Sequence, residues 1–179
     1  MLKIYVTDLA AYNNGFLVGE FLNLPMDLDD LAFAIHRILG KGEEICDNNF
    51  HEEYFISDFE WIDTEAIFKV EEFDNVYILN DKINLLNELN DTELKSVKFL
   101  LDMNIVNDIH EAIEKIDEIV IYENSTMIEV AEQMIEECYD LDALPSIISS
   151  HIDYQSIARD LECEGFYHTI DSDIFYYPY

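Results

Sequence analysis

The chain opens on an alternation in which Leu2, Ile4 and Val6 interleave with Lys3, Tyr5 and Thr7, the period-two pattern of a strand with one face on a core. Asn13-Asn14-Gly15 then marks a turn before a second apolar run from Phe16 to Leu22, so the pattern predicts two strands joined by a loop. Pro25 stops that run. Asp27 stands where a carboxylate caps a helix over 28–39, with Leu28, Leu31, Ile35 and Ile38 near one face. Gly40-Lys41-Gly42 reads as the end of that helix, since glycine readily takes the left-handed conformation that closes one. After a polar loop, Glu53–Phe59 predicts a third strand.

Further on, the period changes to that of helices. Val76, Leu79, Ile83 and Leu86 keep helical spacing, Leu94, Val97, Leu100 and Leu101 repeat it, and Ile109, Ala112, Ile113 and Ile116 extend it. Residues 118–123 read as a strand. Thr126 and Glu129 have the spacing of a capping box, opening another helix. A helical turn near 144–150, a helix over 154–163 closed by Gly165, and two aromatic strands around Asp171-Ser172-Asp173 complete the chain. The pattern predicts an α+β fold with small antiparallel sheets at the N- and C-terminal ends and a helical middle. Three modules are expected, at 1–62, 63–106 and 107–179.

Charge changes the picture. The 179 residues hold 40 acids against 9 bases, a formal net charge of −31. Disordered acidic chains are poor in aromatic and β-branched residues, whereas this one is half hydrophobic with 11 Tyr and 11 Phe, so it is expected to fold. The acids fall evenly on the three thirds of the chain rather than in a tail, which places the charge on a folded surface. Such a field repels nucleic acid and anionic membranes, and neither is expected as a direct partner. Spreading the charge over an elongated body would ease its self-repulsion. No leader-like apolar segment and no long uncharged apolar run are present, so a cytoplasmic protein is expected.

Most catalytic signatures fail. Cys46, Cys138 and Cys163 are odd in number and widely spaced, which indicates neither a disulfide framework nor a zinc site; reduced, buried or inert thiols are expected. Gly40-Lys41-Gly42 lacks the spacing of a P-loop. The acids at 27–30 and 171–173 do not follow a calcium-loop pattern, and the five histidines show no metal-binding spacing. His151 and Cys163 would stand about 15 Å apart along a helix over 154–163, too far for a nucleophile and its base. No cofactor, metal or catalytic residue is expected. In that stretch Asp153 is a helix cap, Tyr154, Ile157, Ala158 and Leu161 face a core, and Arg159 stands three before Glu162 as its ion-pair partner.

What does repeat is a row of acids. Glu129, Glu132, Glu136 and Asp140 are spaced 3, 4 and 4 along the helix from 127 to 140, on one face opposite Met127, Ala131, Met134, Ile135 and Cys138. Asp108, Glu111, Glu114 and Glu118 form a similar row opposite Ile109, Ile113 and Ile116. A solvated helix face ordinarily mixes signs, with Lys or Arg placed to support Glu. The later helix has neither, so the negative field is itself the candidate functional feature. A carboxylate array can compete for a groove whose affinity comes from neutralising phosphates. Halophilic adaptation is the rival explanation, and the high Ile, Tyr and Phe content weakens it.

Three segments carry a family resemblance. Residues 4–25 contain Tyr12-Asn13-x-Gly15, the pair Gly19-Glu20 and a closing Pro25; residues 51–60 read HEEYFISDFE; and after Leu144-Pro145 come Ile152-Asp153-Tyr154-Gln155 and Arg159-Asp160-Leu161. In this order, within an acidic chain of this length, they resemble the ArdA family of antirestriction proteins over most of the chain. Asp153, Tyr154, Arg159, Asp160 and Leu161 match its antirestriction motif. Ile157-Ala158 and Phe21 depart from residues common in the family, and the loop at 40–50 is longer than in its shorter members.

The resemblance implies an elongated homodimer of three-domain subunits joined through their C-terminal domains, with the apolar strands Phe166–Tyr179 as candidate contact. It further implies a mimic of bent duplex DNA, commonly carried on conjugative elements. Such a mimic occupies the DNA groove of type I restriction-modification enzymes, formed by the methyltransferase core with its specificity subunit, and inhibits restriction; whether modification falls too is left open. Two chains would carry −62, the charge of about 30 base pairs at one charge per ~1.7 Å of duplex. The alternative function is an acidic chaperone-like module for basic nucleic-acid-binding proteins, which would bind cationic partners with little preference.

Overall fold

The computed structural model describes residues 1–46 and 50–178; residues 47–49 of the expected 40–50 loop, and Tyr179 at the end of the expected dimer contact, lie outside the described residues. The chain forms two compact units, Met1–Leu94 and Lys95–Tyr179. Among the described residues there are eight α-helices and two three-stranded antiparallel sheets, one towards each end of the sequence.

In the first unit β1 (Leu2–Asp8) is the central strand, flanked by β2 (Gly19–Leu24) and β3 (Tyr54–Trp61). The register sets Ile4 opposite Leu22 and Val6 opposite Ile56, and all four are buried, as the alternation requires. The connection from β1 to β2 is not a plain loop. Asp8 accepts a hydrogen bond from Ala11 N at 2.9 Å and caps a short helix, α1 (Leu9–Asn13), so β2 starts at Gly19 rather than Phe16.

The helix α2 (Leu28–Ile45) begins at the Asp27 cap, as expected, but runs past the glycines. Gly42 is helical because it packs on a buried pair. A Cβ there would stand 1.8 Å from Asp8 Oδ2 and 2.9 Å from His51 Nδ1, so glycine serves close approach, not chain reversal. Asp8 and His51 lie 2.5 Å apart with both side chains buried. Later, α3 (Val76–Asn87) buries Val76, Leu79, Ile83 and Leu86. Its Asn80 donates to Met26 O and accepts from Met26 N, at 2.9 and 2.7 Å, tying α3 to the entry of α2. The helix α4 (Asp91–Asp102) follows.

In the second unit β6 (Asp173–Tyr176) is central, between β4 (Val120–Tyr122) and β5 (Tyr167–Ile170). One face carries Ile174 into a core with Met127, Val130 and Ala131 of α6 (Met127–Cys138) and Ala158 and Leu161 of α8 (Tyr154–Glu164). The other face places Phe175 flat on Phe99 of α4, ring centroids 4.8 Å apart. Between these lie α5 (Ile109–Lys115) and the single turn α7 (Ser146–Ser149). Gly165 closes α8 at φ 80° in the left-handed region, where its missing side chain avoids strain. Lys95 locks the β4 and β6 ends, bonding Glu123 at 3.0 Å and Asp173 at 2.7 Å.

Candidate functional site

The two acid rows lie in the second unit, and the structure divides them into bound and free carboxylates. Asp108 caps α5 by accepting from Glu111 N at 3.1 Å. Glu118 falls beyond the helix, in a 3-10 turn, with Lys115 Nζ at 4.0 Å. On α6, Glu129 accepts from Thr126 N at 2.7 Å and Thr126 Oγ1 at 2.8 Å, completing the expected capping box. Those bonds, the backbone one first, hold its carboxyl below the ordinary range. Asp140 does not extend the helical row, because α6 ends at Cys138 and Tyr139 is extended; Asp140 instead caps a 3-10 turn, accepting from Ala143 N at 3.3 Å.

Glu114, Glu132 and Glu136 are exposed and Glu111 is half-buried. None of these four carboxylates has an ion-pair or hydrogen-bond partner among the described residues. Glu132 and Glu136 stand one turn apart on α6, about 6 Å along its axis, and their helix contains no lysine or arginine. The buried side of α6 is formed by Met127, Val130 and Ala131; Met134 and Ile135 are half-buried, while Cys138 is exposed. Of the other thiols Cys46 is buried and Cys163 exposed, so burial protects one of the three.

The bases elsewhere are largely neutralised in place. Lys3, Arg37, Lys41, Lys69, Lys95, Lys98 and Lys115 each pair with a carboxylate, and Lys82 lies over the Phe68 ring at 5.3 Å. Arg159 behaves differently from the sequence expectation. It makes no ion pair with Glu162 among the described residues; its charge bears on Asp153 at the helix start instead.

Asp153 caps α8, accepting from Ser156 N at 3.0 Å and Ser156 Oγ at 2.7 Å. Its carboxyl is held low first by those two bonds. Tyr154 is half-buried, Asp160 exposed, and Leu161 buried in the α6–α8 core. The motif residues therefore share one capped helix that faces its core through Leu161. His151, exposed, faces Ser150 Oγ at 3.1 Å.

The C-terminal strands are mostly used internally. Ile174, Phe175 and Tyr177 are buried in the chain's own core, and Phe166 is exposed. Exposed apolar side chains of this unit also include Tyr139, Leu144, Ile147 and Ile148, on and around α7, whose four residues are too few for a helical period to mark a face. No helix of the described residues is long and apolar enough to cross a membrane.

No curated protein matches the chain significantly. Residues 4–176, nearly its whole length, match the family model described as antirestriction protein (ArdA). With its acid-rich helices and its capped motif helix, this chain belongs to the ArdA antirestriction protein family.

Proposed function

We propose that the chain inhibits restriction by standing in for duplex DNA, presenting carboxylates where a DNA-binding groove expects phosphates. The observation that carries this function is the state of the charge. Seven of nine bases are already tied to carboxylates, while Glu114, Glu132 and Glu136 project unpaired from helices whose other faces are core. The negative field is thus left for a partner. Its target is the methyltransferase core, with the specificity subunit, of a type I restriction-modification enzyme in the cytoplasm. The active form is an elongated homodimer, joined through the C-terminal module 107–179, for which the exposed Ile147 and Ile148 supply apolar surface.

No catalytic step is involved. Binding would release the counter-ions held by both surfaces, so its affinity should fall steeply with salt, as it does for DNA itself. The test is competition between this protein and unmodified duplex DNA for a purified type I enzyme, repeated across a salt series. Displacement of DNA at low salt that weakens as salt rises is expected. Inhibition insensitive to salt, or no displacement at all, overturns the mimicry.

A further inference from the structure

The first unit carries an exposed row of aromatic rings that the acid rows do not explain. Tyr12 of α1 meets Phe55 of β3 edge-on, centroids 5.2 Å apart, and Phe73 stands 6.3 Å from Phe55. Phe55 is buried, but Tyr12 is 53 % and Phe73 69 % exposed. An ordinary surface leaves such large rings singly; here two both meet a third.

Acids adjoin the same rings in sequence. Glu52-Glu53 precedes Tyr54-Phe55, and Glu71-Glu72-Phe73-Asp74 repeats the pattern of two glutamates followed by an aromatic. Two backbone bonds bring these segments to the ring row: Leu9 N to Glu53 O at 3.0 Å, beside the helix that carries Tyr12, and Ile56 N to Glu72 O at 2.8 Å, beside Phe55. The carboxylates of Glu52, Glu53 and Glu72 have no ion-pair partner among the described residues, whereas Glu71 is held by Lys69.

We infer that this face docks arginine side chains of a basic partner surface, with Tyr12 and Phe73 stacking guanidinium planes and Glu53 and Glu72 accepting from them. A guanidinium is flat, weakly hydrated and forked, so it can stack on a ring and bond a carboxylate bidentately together, whereas an ammonium is a compact, strongly hydrated point charge. Charge complementarity selects a cation; the rings select which cation. This rests on the proposed function for the identity of the partner as a cationic protein, but the selectivity is a property of this surface alone.

The test uses the full-length protein and two peptides of equal length and charge, one oligoarginine and one oligolysine, with affinities measured at moderate salt. Wild type is expected to prefer oligoarginine by about tenfold. Tyr12→Leu/Phe73→Leu keeps the charge and the exposed apolar volume, and should bring the ratio close to one. Glu132→Gln/Glu136→Gln, in the other unit, should weaken both peptides alike and leave the ratio standing. Equal binding of the two peptides by wild type, or a ratio unchanged in the leucine variant despite an unchanged circular dichroism spectrum, overturns the inference. Failure to compete with DNA for a restriction enzyme would overturn the proposed function while leaving a measured arginine preference intact.

Discussion

The two units carry almost the same charge and deploy it in opposite ways. Met1–Leu94 holds 21 acids and 5 bases, and Lys95–Tyr179 holds 19 and 4. In the first, acids are interleaved with bases and rings: Glu20 takes both Arg37 and Lys41, Lys3 sits over Phe21 at 4.4 Å, and a hydrogen-bonded pair, Asp8 and His51, is buried. In the second, no lysine or arginine occurs between Lys115 and Arg159, and the one buried polar side chain among the described residues is Ser96. Net charge alone therefore says little about what a surface offers. The second unit presents bare charge over an apolar core, and the first has charge built into its framework.

The sharpest way to break this comparison is to attack the buried pair. In Gly42→Ala the new Cβ would meet Asp8 Oδ2 at 1.8 Å, and Asp8 cannot swing away without losing its bonds to Ala11 N at 2.9 Å and His51 at 2.5 Å. Overpacking costs about 1–3 kcal/mol, and losing a hydrogen bond to a buried carboxylate costs about 1.5–3. A loss of roughly 3 kcal/mol is expected within those ranges. Urea titration would measure it, and amide exchange would place the lost protection in β1 and α2 while α6 and α8 keep theirs. An unchanged denaturation midpoint would show that the pair has room to move.

Next in size is the effect of row geometry on binding. Glu114→Gln/Glu132→Gln/Glu136→Gln removes three unpaired charges, and Glu20→Gln/Glu60→Gln/Glu71→Gln removes three that already have basic partners. The net charge changes equally. At about 0.5 kcal/mol per exposed charge contact, the first variant should lose about tenfold in competition with DNA, and the second markedly less. Equal losses would mean that overall charge, not its placement, governs inhibition.

How much of this was legible beforehand follows from which interactions are local. The capping box Thr126–Glu129, the Asp153 cap and the Gly165 closure are local, and their residue spacing announced them. The pair of Asp8 with His51 is not visible in the spacing, because the two are 43 residues apart, and the close approach of Gly42 to that pair, which local sequence does not show, leaves Gly42 looking like a helix terminator. The acid rows were legible as composition on a helical period. Their division into bound and free members was not, since it depends on where α6 stops: Asp140, in register by spacing, caps a separate turn because Tyr139 is extended. The ring row was written in the repeated Glu-Glu-aromatic pattern, but Tyr12, Phe55 and Phe73 come together only through tertiary contacts.

A smaller effect tests whether α6, the bearer of the free row, depends on its cap. Thr126→Ala removes the hydroxyl that accepts from Glu129 N and leaves Glu129 without its side-chain partner. Such losses cost about 1 kcal/mol, and the first turn of α6 should exchange its amides faster than the second. Uniform protection along α6 would show that packing on α8 alone fixes the helix start.

The smallest effect is in the pH profile, where the two uses of charge pull in opposite directions. Glu129, Asp153 and Asp173 have folded carboxyls held below their ordinary values, chiefly by hydrogen bonds from Thr126, Ser156 and Lys95 respectively. Their stabilisation is present above the unfolded carboxylate values and is lost as pH falls through the lower folded ones. The net charge of −31 works against folding through self-repulsion at neutral pH. Stability should fall below about pH 4 as the capping carboxylates protonate. Added salt should raise stability at neutral pH, where it screens long-range repulsion, and spare the acid limb, which is hydrogen bonding at contact. Asp153→Asn keeps a capping oxygen without a titrating proton, so its falling limb should be shallower than that of wild type. Salt erasing the falling limb while leaving neutral-pH stability unchanged would place the bound carboxylates, not the free ones, at the source of the repulsion, and the division between them would fail.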